Sequence, residues 1–305
     1  MRVPGKALSL ALGAGTLLIS GALQAEPRIV TSIKPVELIV SAIATEDMQT
    51  TSLVPPGSSP HNYTMKPSQR RALENADVIF WVGPDMETFL NRLLAGQEFS
   101  NRTVALTDAE HVSGEEHHNE GHGHGHDHGD GEDPHIWLDP ELAIEMAETI
   151  RDALSALDGV DAAALNKNLE QFKVSVRQTD ANIRDRLAPA HEISLFAYHD
   201  AFTRFAEHYG MKLDGVLTLN PELSPGARHI SEVQEKLRNA THPCLLTEPQ
   251  FNRQWWRSIT ENLDVTFSTW DPLATDIKAT PEGYNDFQQS IVDAVLKCLP
   301  EDTEH

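Results

Sequence analysis

Positive charge is scarce in this 305-residue chain, with 24 lysines and arginines against 46 aspartates and glutamates and a formal net charge of −22. A surface of that sign has little with which to neutralise phosphates, which argues against nucleic acid as a partner. It suits solubility and the attraction of cations instead. Cysteine is almost missing. The two present, Cys244 and Cys298, stand 54 residues apart. In an exported chain an even pair reads as one disulfide, and two buried free thiols are the other reading. The strings of hydrolytic chemistry are absent as well. There is no His-Glu-x-x-His helix, since the nearest string, His191-Glu192-Ile193-Ser194-Leu195, lacks its second histidine, and there is no Gly-x-Ser-x-Gly elbow. A zinc hydrolase therefore has little sequence support.

No apolar run is long enough to be assigned as a membrane span. The run at residues 7–18 is short and broken by glycine; Arg2 and Lys6 precede it and small residues ending at Ala25 follow. Charged, then apolar, then small is the order of a secretory signal, here residues 1–25 with cleavage after Ala25. A buried N-terminal helix is the alternative. Losing Arg2 and Lys6 takes the net charge from −22 to −24. No cysteine near the cleavage point could carry a lipid anchor, so the mature chain is expected to be soluble, unanchored and periplasmic.

Beyond residue 26, short β-rich apolar segments alternate with helical ones, which predicts α/β lobes with mostly parallel sheets. Strands are expected at 28–33, 51–54, 78–82, 193–198, 244–247 and 265–270, and a proline-opened helix at 35–45. Residues 161–188 differ in texture: glycine and proline are absent, and Leu165, Leu169, Phe172, Val176, Ile183 and Leu187 recur at helical spacing. Asp161 can cap such a helix and Pro189 stops it. It would run roughly 40 Å at about 1.5 Å per residue, enough to cross a domain. The flanking halves look like weak copies. Ser59-Pro60 matches Ser224-Pro225, Leu73-Glu-Asn-Ala76 matches Leu237-Arg-Asn-Ala240, and Pro84 matches Pro249, at offsets of 164 or 165. The expected division is an N-terminal lobe at 26–160, a connecting helix at 161–188 and a C-terminal lobe at 189–305. His61 falls opposite Gly226 in this register, so its duty is not one the fold itself imposes.

Fifteen histidines form two populations. His111, His117, His118, His122, His124, His126 and His128 lie with Gly, Glu and Asp in an insert spanning 110–133. That composition has almost no apolar side chains to offset the entropy of ordering it. A flexible acidic loop is expected, whose imidazoles take up metal weakly at many sites; a merely solvated linker is the bland alternative. The others are scattered singly. Three of them, His61, His135 and His199, each sit where a strand ends or a helix is about to begin. Ligands bind at the carboxyl ends of strands in open α/β sheets, and two facing lobes could bring such residues together. Three imidazoles at about 2.0–2.1 Å suit Zn²⁺; ordinary capping or core histidines are the alternative.

The mature chain resembles, along its whole length and in order, the periplasmic zinc-binding proteins of high-affinity zinc ABC transporters. These belong to the metal-binding cluster A-I of solute receptors, which also has manganese-binding members. The carrying segments are Ser32-Ile-Lys-Pro-Val36, Ser59-Pro-His-Asn-Tyr63, Ala76-Asp-Val-Ile-Phe-Trp-Val-Gly-Pro-Asp-Met-Glu87, the His-rich insert, His135-Ile-Trp-Leu-Asp-Pro140, Tyr198-His-Asp-Ala-Phe202, Thr247-Glu-Pro-Gln-Phe251 and Asp271-Pro-Leu273. The resemblance implies two pseudo-symmetric α/β lobes joined by one long helix, with the metal in the cleft between them. It implies that His61, His135 and His199 hold zinc, and that Cys244 pairs with Cys298. Histidine at 199, where a carboxylate would resemble the manganese binders, points to zinc. Some relatives have Glu just before the first ligand histidine; Pro60 stands there in this chain. Water, or Asp271 as fourth ligand or as a group orienting an imidazole, is then expected to complete the site. The implied role is a monomeric, non-enzymatic receptor delivering Zn²⁺ to a membrane permease. A stand-alone zinc buffer or metallochaperone is the rival that sequence leaves open.

Overall fold

The computed structural model describes residues 26–107, 133–218, 225–251 and 259–300. Two four-stranded sheets organise it. The first contains β1 (Arg28–Thr31), β2 (Gln49–Ser52), β3 (Val78–Trp81) and β4 (Thr103–Ala105), in the order β2-β1-β3-β4. The second contains β5 (Ser194–His199), β6 (Leu213–Thr218), β7 (Pro243–Thr247) and β8 (Thr266–Thr269), in the order β6-β5-β7-β8. Every pairing is parallel, and the two orders are the same permutation. The central strand β3 reads Val-Ile-Phe-Trp and is buried at all four positions. That is the continuous apolar run expected of a strand covered on both faces.

Helices α1 (Lys34–Ile43), α2 (Pro67–Glu74), α3 (Asn91–Leu94) and α4 (Pro140–Ser155) surround the first sheet's half of the chain. The second half has α6 (Thr203–His208), α7 (Ala227–Asn239) and α8 (Gly283–Leu296). Between them runs α5 (Ala162–Leu187), 26 residues long. The six periodic apolar positions predicted for α5 are all buried, and Asp161 Oδ1 accepts from the Ala163 and Ala164 amides at its start. Such a cap contributes about 1 kcal/mol. At α4, Asp139 caps in the same way and Pro140 supplies the first turn.

The two sheets are not separate cores. One apolar cluster runs from Ile29 and Val36 through Phe172 of α5 to Leu195, Trp270 and Val295. Trp137, fully buried, ties the halves by hydrogen bonds: its Nε1 donates to the Pro272 carbonyl at 2.8 Å, and its own carbonyl accepts from the Tyr284 hydroxyl at 3.0 Å. Helix α8, late in the chain, packs on α1 and α5 as well as on β8. Parting the lobes as rigid bodies would expose this shared core, so only small movements are cheap. Cys244 in β7 is disulfide-bonded to Cys298 just beyond α8. Among the described residues, no helix is long and apolar enough to cross a membrane.

Candidate metal centre

The three scattered histidines reach one point from three elements. His199 is the last residue of β5, at the carboxyl end of the second sheet. His135 immediately precedes a 3-10 turn at Ile136–Leu138, whose buried Trp137 fixes it between the lobes. His61 sits in the loop after β2, and its amide donates to the Ser59 hydroxyl. Ring centroids are 5.5 Å apart for His61–His135, 5.7 Å for His61–His199 and 5.3 Å for His135–His199. One nitrogen from each lies within 4.8 Å of the others. Nitrogens on a tetrahedral zinc with arms of about 2.1 Å stand roughly 3.4 Å apart, so a contraction of at most about 1.4 Å suffices.

Two carboxylates aim two of the rings. His135 Nδ1 is 2.6 Å from Asp133 Oδ1, and His199 Nδ1 is 2.8 Å from Glu248 Oε1. An ionised carboxylate only accepts, so each Nδ1 must carry the proton and each Nε2 presents a lone pair. His199 Nε2 is buried with no hydrogen-bond partner among the described residues. A buried, unpartnered ring nitrogen facing two other imidazoles fits an electrophile. Burial, and then the charge that His135 or His199 would carry when protonated, push His61 down to about 3, with Asp133 opposing. Its ring is therefore neutral and available across the ordinary pH range. Asp133 is pushed up by burial, yet its bonds to His135 and the charge of Arg204 outweigh this and hold it below the usual carboxylate range. Two carboxylates behind the rings offset the charge of a divalent ion.

Besides the three histidines and Glu248, a cavity of about 20 Å³ is lined by apolar Pro60, Met86, Trp137, Phe251, Pro272 and Leu273 and by polar Ser59 and Gln250. That is room for one small occupant and little more. Asp271 is not brought into the group. Its Oδ1 accepts from Gln250 Nε2 at 2.6 Å and the Leu273 amide at 3.0 Å, and its Oδ2 from the Thr275 amide at 2.7 Å. These bonds hold a turn in which Ala274 adopts φ 50°, and the turn places Pro272 and Leu273 against the cavity. The imidazole-orienting groups are instead Asp133 and Glu248. Neither was singled out from sequence, although each lies in a segment that was: one beside a candidate ligand, the other just past a strand. The insert histidines His111, His117, His118, His122, His124, His126 and His128 lie outside the described residues.

Two like-ordered parallel-sheet lobes, braced by one helix and gathering three imidazoles between them, define a metal-ion receptor of the solute-binding class. The family model for zinc-uptake complex component A, periplasmic, matches residues 29–298. The high-affinity zinc uptake system protein ZnuA of Yersinia pestis is 33% identical, with 96% of this chain and 98% of that protein covered. Its counterpart in Brucella abortus (strain 2308) is 30% identical, with 89% and 91% covered. The chain belongs to this zinc-uptake component A family. A crystal structure of ZnuA aligns with a TM-score of 0.71 at 22% identity, covering 88% of this chain and 99% of its own. FpvC from Pseudomonas aeruginosa, solved in complex with Mn²⁺, aligns at 0.69 and 18%, covering 89% and 99%. At those identities the likeness carries the fold and does not choose the metal.

Proposed function

We propose that this chain is a periplasmic zinc receptor that takes Zn²⁺ between its lobes on His61, His135 and His199 and delivers it to the permease of an ABC importer. The observation that carries this reading is the meeting of three imidazoles, two of them aimed by carboxylates, in a cavity fit for one ion. Borderline imidazole donors favour zinc over the harder manganese ion, which prefers oxygen. Water completes the tetrahedron, since Pro60 offers no donor and Asp271 is committed to its turn. The work is capture and release, not catalysis. Ion entry replaces most of the hydration shell by nitrogens already held in place, so little ordering entropy remains to be lost on binding. Family membership supports the destination. The same reading assigns residues 1–25 to a signal cleaved after Ala25, the lobes to 26–160 and 189–305 about the 161–188 helix, and weak accessory zinc contacts to the insert histidines of a monomer.

Competition titration of the metal-stripped protein against a chromophoric zinc chelator tests the site. In a background lacking residues 111–130, His61→Ala, His135→Ala and His199→Ala should each weaken binding by two or more orders of magnitude, with circular dichroism unchanged. Wild-type affinity in all three variants would overturn the assignment. Uptake of zinc into vesicles bearing the cognate permease, driven only by the loaded protein, tests delivery.

A further inference from the structure

We infer that Arg204, on α6 of the second lobe, is a positioning residue for the metal centre: it holds Asp133 so that Asp133 can aim His135. The inference rests on the proposed role of His135 as a zinc ligand. Asp133 lies outside any helix or strand, and the next residue, Pro134, has no amide hydrogen to anchor the segment. Side-chain contacts must therefore set its place. The Asp133 oxygens divide their work. Oδ1 accepts from the His135 ring at 2.6 Å and from the His135 amide at 3.0 Å. The main-chain oxygen accepts from Arg204 Nε at 2.8 Å and also from Nη2, while Oδ2 stands 3.6 Å from Nε. The planar guanidinium thus grips the main-chain carbonyl with two donors while its charge stands beside Oδ2, which has no hydrogen-bond partner among the described residues.

The consequence crosses the molecule. Arg204 is five residues beyond His199, on the segment leaving β5, so one stretch of the second lobe carries one imidazole directly and aims another through Asp133. His135 is then correctly turned only while the lobes are in register. A small slip at this junction would loosen two of three ligands at once, a route to release that needs no wide opening.

The test combines zinc affinity with the ring state of His135 in the metal-free protein, read by long-range proton–nitrogen NMR. Arg204→Met should weaken zinc binding roughly ten-fold or more, as loss of groups behind a ligand generally does, and the His135 ring should lose its fixed Nδ1–H tautomer. Arg204→Lys should recover only part of both. In a double-mutant cycle, adding Arg204→Met to Asp133→Ala should cost nothing further, because no side chain is then left at 133 for the arginine to position. Wild-type affinity in Arg204→Met, an unaltered His135 ring, or full additivity in the cycle would each overturn the inference. Should Arg204→Met not fold, Arg204→Gln takes its place with the same outcomes. The ring spectrum needs no zinc: if it responds to Arg204 while His135→Ala keeps wild-type affinity, the positioning stands and the ligand assignment falls.

Discussion

A histidine becomes a good ligand when something else decides where its proton sits. Sequence shows His61, His135 and His199 at element ends, and that much was legible because strand ends and turns have short-range signals. It does not show Asp133 and Glu248 as their partners, because the Glu248–His199 contact spans 49 residues and depends on β7 lying beside β5. Asp271, offered from sequence beside water as a fourth ligand or an orienting group, is seen here holding a turn, and an Asp before Pro-Leu is also what a tight turn needs. Glu87 is another residue whose role only the fold reveals. It is fully buried, its two oxygens accepting from the Val82 and Gly83 amides. Burial pushes its carboxyl up to about 7, and the nearby Ser32 hydroxyl and the hydrogen bonds from the Gly83 and Val82 amides only temper the shift. The unfolded chain releases this proton near pH 4.5 and the folded chain near 7, so stability falls as pH rises between them. The amount is on the order of 3 kcal/mol. Glu87→Gln keeps one acceptor oxygen and cannot ionise. Its melting temperature relative to wild type should therefore climb between pH 5 and pH 8, and parallel melting curves across that range would remove the buried-acid explanation.

At the scale of elements, what could be read was what repeats locally. Helix α5 was legible because 26 residues without a breaker carry a full apolar stripe and a cap. Strand β4 has three half-buried residues, and β6 includes Asp214 and Gly215; neither shows an apolar run, and both form because a neighbouring strand offers its edge. What joins α5 to its surroundings was not legible either. His208, at the end of α6 and 9% exposed, lies 2.7 Å from Asp180 of α5 and 3.3 Å from Asp139 at the start of α4. Arg184 also reaches it, at 2.7 Å, and binds Asp180. Burial alone would lower this imidazole's affinity for a proton, but the bonds to Asp139 and Asp180 outweigh it and the pKa is raised. A raised folded pKa stabilises fully below the unfolded value of about 6.5, and the gain is lost as pH rises through the folded value. His208→Leu should accordingly cost more at pH 5.5 than at pH 8.5. Denaturant titrations at both pH values measure this. An equal loss at both would mean that His208 acts by packing alone.

For the whole molecule, duplication is the feature that sequence carried furthest. The 165-residue offset between Pro84 and Pro249 also separates Val78 and Pro243, the starts of β3 and β7, and the strand orders coincide. Faint identity survives at turns because turns tolerate few residue types. The shared core was invisible, since Trp137 meets Pro272 and Tyr284 across more than 130 positions. Two kinds of support therefore hold this receptor: a core and hydrogen bonds between the lobes near the metal centre, and a disulfide at the far end of the second sheet. Cys244 is the second residue of β7 and Glu248 follows its end, so they stand about 13 Å apart at about 3.3 Å per residue. The bridge closes a 54-residue loop, and loop-closure entropy puts its contribution at about 4 kcal/mol, an upper value for a chain whose unfolded state keeps some structure. The double variant Cys244→Ala/Cys298→Ala should melt roughly 5–10 °C lower. Because β5 and β7 remain paired and the carboxylate–imidazole contacts lie at the other end, its zinc affinity at 25 °C should stay within about three-fold of wild type, a shift of less than about 0.7 kcal/mol. Calorimetric melting and chelator competition on the same sample decide the matter. A ten-fold loss of zinc affinity in a variant that remains folded would show that the bridge sets the geometry of the centre and does more than hold the lobe together.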